Sequence, residues 1–315
     1  MRLLFVADPL DEFKTYKDTT FAMMTEAAGR GHLLHACLQQ DLHLGAGDVH
    51  GHARQIVLTP GESNWYRAGA PVDAPLAQFD AVLMRKDPPF DMEYLYSTYL
   101  LERAVARGAR VFNDPRAIRD HNEKFAIAEF PHFTAPTVVT RSEADLRAFV
   151  EEHDQAVFKP LDGMGGTGIF RVSRKEPNLS VIIETLTAMG TRTIMAQKYI
   201  AAISEGDKRV LLIGGKPVPH CLARIPKAGE TRGNLAAGGT GVARALSAAD
   251  LRIAESLGPI LAQRGLLLVG LDVIGENLTE INVTSPTCFQ EITAQTGFNV
   301  AAMFLDALEA AVSRA

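Results

Sequence analysis

Cysteine is scarce: Cys37, Cys221 and Cys288 are the only three in 315 residues. A scattered, odd-numbered set argues against a disulfide framework and suits a reducing cytoplasm. Long apolar runs are missing too. The first, Leu3-Leu4-Phe5-Val6-Ala7, stops at Asp8-Pro9, which is too short for the core of a signal peptide, and nothing later approaches the roughly 18 apolar residues of a membrane span. Positive charge is not in excess. With 37 acidic against 32 basic side chains the net charge is −5, so a nucleic-acid partner is not expected. Several chemical signatures are also absent: the Gly-x-Ser-x-Gly elbow, the Lys-Ser or Lys-Thr that ends a P-loop, and a dinucleotide fingerprint near residues 7–31, which disfavours an oxidoreductase.

What remains is an ordinary foldable composition, 47% hydrophobic and 22% charged, in a chain long enough for about two domains. The first third reads as an open parallel α/β unit. Strands are expected at 2–7, 33–38, 81–84 and 110–112, with helices from Thr19 to Arg30 and from Met92 to Arg107. Asn113-Asp114-Pro115 breaks this pattern, and from about residue 122 the texture changes. Strands at 156–160 and 169–172 flank a glycine-rich loop. Residues 226–241 carry much glycine and little apolar surface, and read as a mobile lid. A helix over 247–264, a hairpin over 266–283 and a last helix over 299–313 follow.

The hairpin carries the most chemistry. Gly270-Leu271-Asp272-Val273-Ile274 and Leu278-Thr279-Glu280-Ile281-Asn282-Val283 both alternate. A three-residue loop at 275–277, with Asn277 left-handed, sets Asp272 opposite Glu280 and Gly270 opposite Asn282. Two carboxylates and an amide then share one face, which suits a hard divalent cation such as magnesium. A solvated face without a ligand is the plain alternative. The segment Lys159-Pro160-Leu161-Asp162-Gly163-Met164-Gly165-Gly166-Thr167-Gly168 delivers a lysine from a strand and then lets backbone N–H groups turn towards an anion. A flexible hairpin tip would look the same.

Lys124, Arg209 in Asp207-Lys208-Arg209, Arg224 and Arg232 form a set of cations of the kind phosphoryl transfer needs, though each alone reads as a surface residue. Arg85 follows the strand at 81–84, at a carboxyl end where open α/β sheets bind ligands, and suits a carboxylate. Asp18-Thr19-Thr20 opens the first helix as a cap. His50-x-His52 has metal-ligand spacing but reads as part of an exposed hairpin, and nothing marks Cys288 as an activated nucleophile.

In this order, Lys124, Lys159 with its glycine loop, Asp207-Lys208-Arg209, Arg224, the segment 226–241, and Asp272 with Glu280 and Asn282 resemble the ATP-grasp ligases. Met84-Arg85-Lys86-Asp87-Pro88-Pro89-Phe90-Asp91, Lys159 to Gly166, Thr231-Arg232-Gly233-Asn234-Leu235-Ala236-Ala237-Gly238-Gly239 and Thr279 to Thr287 are similar to the prokaryotic glutathione synthetases in particular. That resemblance covers almost the whole chain. It implies an α/β (α+β) protein with an N-terminal substrate domain at 1–122 and a two-lobed ATP-grasp module at 123–315. The ATP lobe would lie at about 123–200, and the C-terminal lobe at about 201–315.

It further implies that Lys124, Lys159 and Gly163-Met164-Gly165-Gly166 hold the ATP phosphates, Gln197-Lys198-Tyr199-Ile200 the adenine, and Asp207 the ribose. Lys198 is unusual for that segment, where contact runs through backbone. Asp272, Glu280 and Asn282 would hold Mg2+, for which Mn2+ could substitute, with Asn282 also touching ATP. Arg209 and Arg224 would stabilise transferring charge, Arg232 and Gly233 would close with the lid, and Asp18, Arg85, Ser285 and Thr287 would hold the peptide. The implied reaction joins γ-glutamylcysteine to glycine through an acyl phosphate, in a cytoplasmic homotetramer with neither nucleic acid nor membrane as partner. Another ATP-grasp carboxylate–amine ligase, or a non-catalytic ATP-binding regulator on the same fold, are the competing readings.

Overall fold

Arg2–Val6 (β1) is an apolar run buried at four of its five positions, as a strand covered on both faces must be. The computed structural model describes residues 1–61, 64–227, 233 and 238–314. Asp18 ends the loop after β1: its carboxylate accepts from the Phe21 N–H at 2.7 Å and so starts α1 (Thr19–Gly29). β2 (Leu33–Cys37), β7 (Ala81–Met84) and β8 (Val111–Phe112) flank β1 in the order β2-β1-β7-β8, all parallel. Helices α2 (Met92–Val105) and α3 (Pro115–Asp120) complete this part, capped by Asp91 and Asp114.

The first sheet is larger and less uniform than the parallel unit expected from sequence. β3 (Leu42–Gly45), β4 (Asp48–Leu58), β5 (Tyr66–Ala68) and β6 (Val72–Pro75) extend it to eight strands, all pairing antiparallel through β4. Alternating burial along much of β4 is the mark of a strand with one face in water.

The second sheet, in the order β11-β10-β12-β9, is antiparallel: β9 (Thr137–Thr140), β10 (Gln155–Pro160), β11 (Phe170–Ser173) and β12 (Ile194–Lys198). With α4 (Glu143–His153) and α5 (Leu179–Leu186) it encloses a core of its own around Leu146, Phe158, Ile183 and Ile194. The third sheet is built from β13 (Asp207–Ile213), β14 (Lys216–Pro217), β15 (His220–Ile225), β16 (Thr240–Ala245), β17 (Leu268–Ile274) and β18 (Asn277–Asn282). Its path runs β16-β15-β13-β17-β18, with β14 on β13. α6 (Ala248–Gln263) packs on it, and α7 (Phe289–Thr296) and α8 (Val300–Arg314) return to α1. Apolar clusters run without a break from the first sheet to the third: Phe5 and Met24 share one with Leu211, Phe289 and Phe304.

A three-sided clamp joins these two sheets. Asn113 Nδ2 donates to the carbonyls of Leu268 and Val283, each at 2.8 Å, and its Oδ1 accepts from the Leu268 N–H at 2.9 Å. The residue that ends the α/β pattern in the sequence is thus the one that ties it to the β17/β18 hairpin. Among the described residues no helix is long and apolar enough to cross a membrane.

Candidate active site

A cleft of about 630 Å³ opens where the three sheets meet. Every site residue named from the sequence lines it except Arg232. Arg232 and most of the expected lid lie outside the described residues.

β17 and β18 form the floor. Asp272 faces Glu280 and Gly270 faces Asn282, as the alternation predicts, yet the turn differs. Ile274 pairs with Asn277 across a two-residue turn in which Gly275, at φ +60°, supplies the left-handed backbone in place of Asn277. A bulge restores the register: Val273 pairs with Leu278, so Thr279 is the extra residue before Glu280. The displaced Thr279 carbonyl accepts from Lys159 Nζ at 3.1 Å, while its hydroxyl bonds the Asp272 carbonyl.

β13 runs beside β17 and sets Arg209 opposite Asp272; on its other side Asp207 stands opposite Arg224 of β15. Arg209 Nε and Nη2 reach the Asp272 oxygens at 2.5 and 3.2 Å. Arg224 Nη2 lies 2.8 Å from Asp272 Oδ2 and 2.6 Å from Asp207 Oδ2. All four groups are shut from bulk water or nearly so. Burial alone would raise the Asp272 pKa, but the two guanidinium groups outweigh it and hold the carboxyl below the usual range. Asp207 goes the other way. Burial pushes it up, Arg224 opposes, and the neighbouring Asp272 and Glu280 charges add to the push. Its Oδ1 is buried with no hydrogen-bond partner. Lys208, between them in sequence, points to the opposite face and binds Asp250 and the Gly275 carbonyl.

Two glycines make room for this array. A Cβ on Gly270 would come within 2.9 Å of Arg209 Cδ, and one on Gly233 within 2.4 Å of the Arg224 carbonyl oxygen. The arginine therefore lies flat on the strand that carries Asp272.

The opposite wall comes from the second sheet and the segment before it. Lys159 leaves β10 fully buried, and burial pulls its ammonium below the usual lysine range despite Glu280 nearby. Lys159 Nζ and Lys124 Nζ lie 3.9 and 3.7 Å from the same Glu280 Oε1. Lys124 Nζ also donates to the Gly163 carbonyl at 2.6 Å, so it ties the glycine loop to the floor. In that loop Gly165, Gly166 and Gly168 all have φ between +62° and +82°, which side chains resist. Gln197, Lys198, Tyr199 and Ile200 continue from the end of β12 along the cleft.

Glu123 is a site residue that the sequence does not mark. Its carboxylate accepts from the Val283 and Thr284 N–H groups and from the Thr284 hydroxyl, at 2.9, 3.1 and 2.8 Å. Its carbonyl accepts from the Ile281 N–H at 2.8 Å. Glu123 thus positions both Lys124 and the end of β18. Adjacency to Lys124 was the sole signal in the sequence.

At the first sheet's end of the cleft Arg85 is fully buried, and burial pulls its pKa down. Its donors go to neutral oxygens, Thr20 Oγ1 at 3.1 Å and the Pro286 carbonyl at 3.0 Å. Among the described residues no carboxylate lies within ion-pairing distance of it. Asp87 and Asp18 act on it only from beyond ion-pairing distance, so the buried guanidinium keeps capacity for an anionic ligand. Ser285 Oγ donates to the Arg85 carbonyl, and Asp18 and Thr287 complete the rim. Burial raises the thiol of Cys288, which agrees with an inert side chain.

Comparison with known proteins gives one answer for both halves. The family described as "Prokaryotic glutathione synthetase, N-terminal domain" matches residues 1–119, and "Prokaryotic glutathione synthetase, ATP-grasp domain" matches 123–297. The glutathione synthetase of Ralstonia nicotianae is 65% identical over 315 residues, covering 100% of this chain and 97% of that one. That of Nitrosomonas europaea is 60% identical over 317 residues, covering 100% and 99%. Among solved structures, D-cycloserine synthetase DcsG superposes with a TM-score of 0.67 over 98% of this chain and 99% of its own. At 16% identity it speaks for the fold alone.

Proposed function

The chain belongs to the prokaryotic glutathione synthetase family, ATP-dependent ligases that make glutathione, and we propose from the cleft how its residues divide that work. In this reading an N-terminal domain at 1–122 supplies the peptide end of the cleft, and an ATP-grasp module at 123–315 supplies the rest.

ATP lies between the second and third sheets. Lys124, Lys159 and the backbone of Gly163, Met164, Gly165 and Gly166 take its phosphates. The segment Gln197, Lys198, Tyr199 and Ile200 lies along the adenine. The unpartnered Oδ1 of Asp207 accepts from the ribose. Asp272, Glu280 and Asn282 offer an all-oxygen donor set, with Asn282 Nδ2 turned to the Gly270 carbonyl so that its Oδ1 is left for a cation and for ATP. That set fits Mg2+, with Mn2+ as a substitute. Bound there, the ion would neutralise charge on the phosphate oxygens.

Arg85 holds a carboxylate of γ-L-glutamyl-L-cysteine, with Asp18, Ser285 and Thr287 around it. The cysteinyl carboxylate oxygen attacks the γ-phosphorus and ADP leaves. Arg209 and Arg224, held by Asp272, present charge to the oxygens that become more negative. The glycine amine then attacks the acyl phosphate carbon, phosphate departs, and the amine proton is lost as the amide forms. A mixed anhydride must be kept from water, and Arg232 and Gly233 are the residues we assign to closing the site; Gly233 is seated against Arg224. Cytoplasmic residence and a homotetramer, without nucleic acid or membrane as partner, complete the proposal.

The observation that carries this reading is the pairing of Arg209 and Arg224 on Asp272 across from two lysines over Glu280, with Arg85 bonded to neutral oxygens at the far end. Its test is ADP release with ATP, magnesium and γ-glutamylcysteine, with and without glycine. Release that needs both, with glutathione identified by mass, is expected. Release with a different carboxylate and amine would keep the chemistry and discard the substrate, and none with any pair would favour a non-catalytic nucleotide binder.

A further inference from the structure

The histidines of the antiparallel extension take no part in the cleft. His43 on β3 and His50 on β4 are direct cross-strand partners, and His52, two residues on, stands opposite Asp73 of β6. Three strands thus bring three imidazoles around one carboxylate. His43 Nε2 lies 3.4 Å from Asp73 Oδ1, His50 Nδ1 3.3 Å and His52 Nδ1 4.0 Å. The rings of His43 and His52 stack at 4.8 Å between centroids.

We propose that His43, His50 and Asp73 bind a divalent transition metal of the zinc class. Ligands at about 2.0–2.1 Å around a tetrahedral ion stand about 3.3–3.4 Å apart, which is the spacing of both imidazole nitrogens from Asp73 Oδ1. The donor atoms of His43, His50 and Asp73 all lie within 4.8 Å of one another.

His50 Nδ1 is buried with no hydrogen-bond partner, although Asp73 Oδ1 lies 3.3 Å away, so its lone pair is free for an ion. His43 Nδ1 lies 3.3 Å from the Asp41 carbonyl, a bond that places the proton there and leaves Nε2 its lone pair for a metal. Imidazole and a single carboxylate suit Zn2+ or Ni2+ better than Mg2+, so this site and the oxygen-lined cleft select different ions. An ion here would pin β3, β4 and β6 together.

The test is Zn2+ titration of the full-length protein against a chromophoric chelator, in saturating magnesium and ATP so that the cleft is filled. Wild type is expected to take up a single Zn2+ that His50→Ala and Asp73→Asn each weaken by more than the roughly 10–100-fold that loss of an outer partner costs. ADP release by both variants should be unchanged. Zn2+ should raise the melting temperature of wild type and leave that of the variants where it was, which separates lost binding from lost folding. No uptake by wild type, or equal uptake by wild type and both variants, would overturn the proposal.

Discussion

Glu280 shows how much one residue can carry. Its carboxylate lies 3.7 Å from Lys124 Nζ and 3.9 Å from Lys159 Nζ, and faces Asp272 across the hairpin. Glu280→Gln keeps the shape and removes the charge. Turnover should fall on the order of 100-fold, with the far-UV spectrum and melting temperature close to wild type. Unchanged turnover with an unchanged magnesium requirement would remove Glu280 from the site. This position was legible in the sequence because strand alternation places Glu280 and Asn282 on one face whatever the turn. The turn itself was not. The two-residue connection and the bulge at Thr279 offset one another, so Asp272 still meets Glu280 through geometry that side-chain period alone cannot reveal. Glu123 was illegible for another reason: its partners, two backbone N–H groups and the Thr284 hydroxyl, lie about 160 residues away.

At the scale of elements, short apolar strands and capped helices were readable because each satisfies a local rule. β7 spans the expected 81–84, and α2 starts on Asp91 as a cap should. The antiparallel extension was legible only in part: the exposed hairpin expected around His50 and His52 is β3/β4, turned at Ala46-Gly47, but the pairing of β6 with β4 joins segments that are not neighbours in sequence. Asn113 belongs here too. A break in the α/β pattern was visible, but not that its amide would bridge two sheets. Asn113→Ala leaves the Leu268 N–H and two carbonyls buried without that partner, and should destabilise the protein by about 2–5 kcal/mol. Urea unfolding measures it. A change under about 0.5 kcal/mol, the range of an ordinary surface substitution, would mean that the clamp does not hold the sheets together.

For the whole molecule, the central question is how three sheets stay aligned around one cleft. Apolar clusters join the first and third sheets, and the second, which encloses a core of its own, reaches one of them through Met195. One tie near that junction is ionic: Arg264, just after α6, grips both oxygens of Glu129 at 3.2 and 2.7 Å. The Arg264 hydrogen bond holds Glu129 below the usual glutamate value. A carboxyl lowered in the folded state adds stability that is complete above the unfolded value of about 4.3 and is lost as pH falls through the lower folded one. Because the pair is solvent-exposed, its worth is under about 1 kcal/mol. Wild type should exceed Glu129→Gln by that margin at neutral pH, and the two should converge in acid. A difference that grows as pH falls would contradict the assignment.

The account as a whole rests on the cleft activating a carboxylate by phosphorylation. The most direct measurement is turnover of γ-glutamylcysteine labelled with oxygen-18 in its cysteinyl carboxylate, in the presence of ATP, magnesium and glycine. An acyl phosphate requires one labelled oxygen to leave in each phosphate released. Unlabelled phosphate alongside labelled peptide product would contradict it.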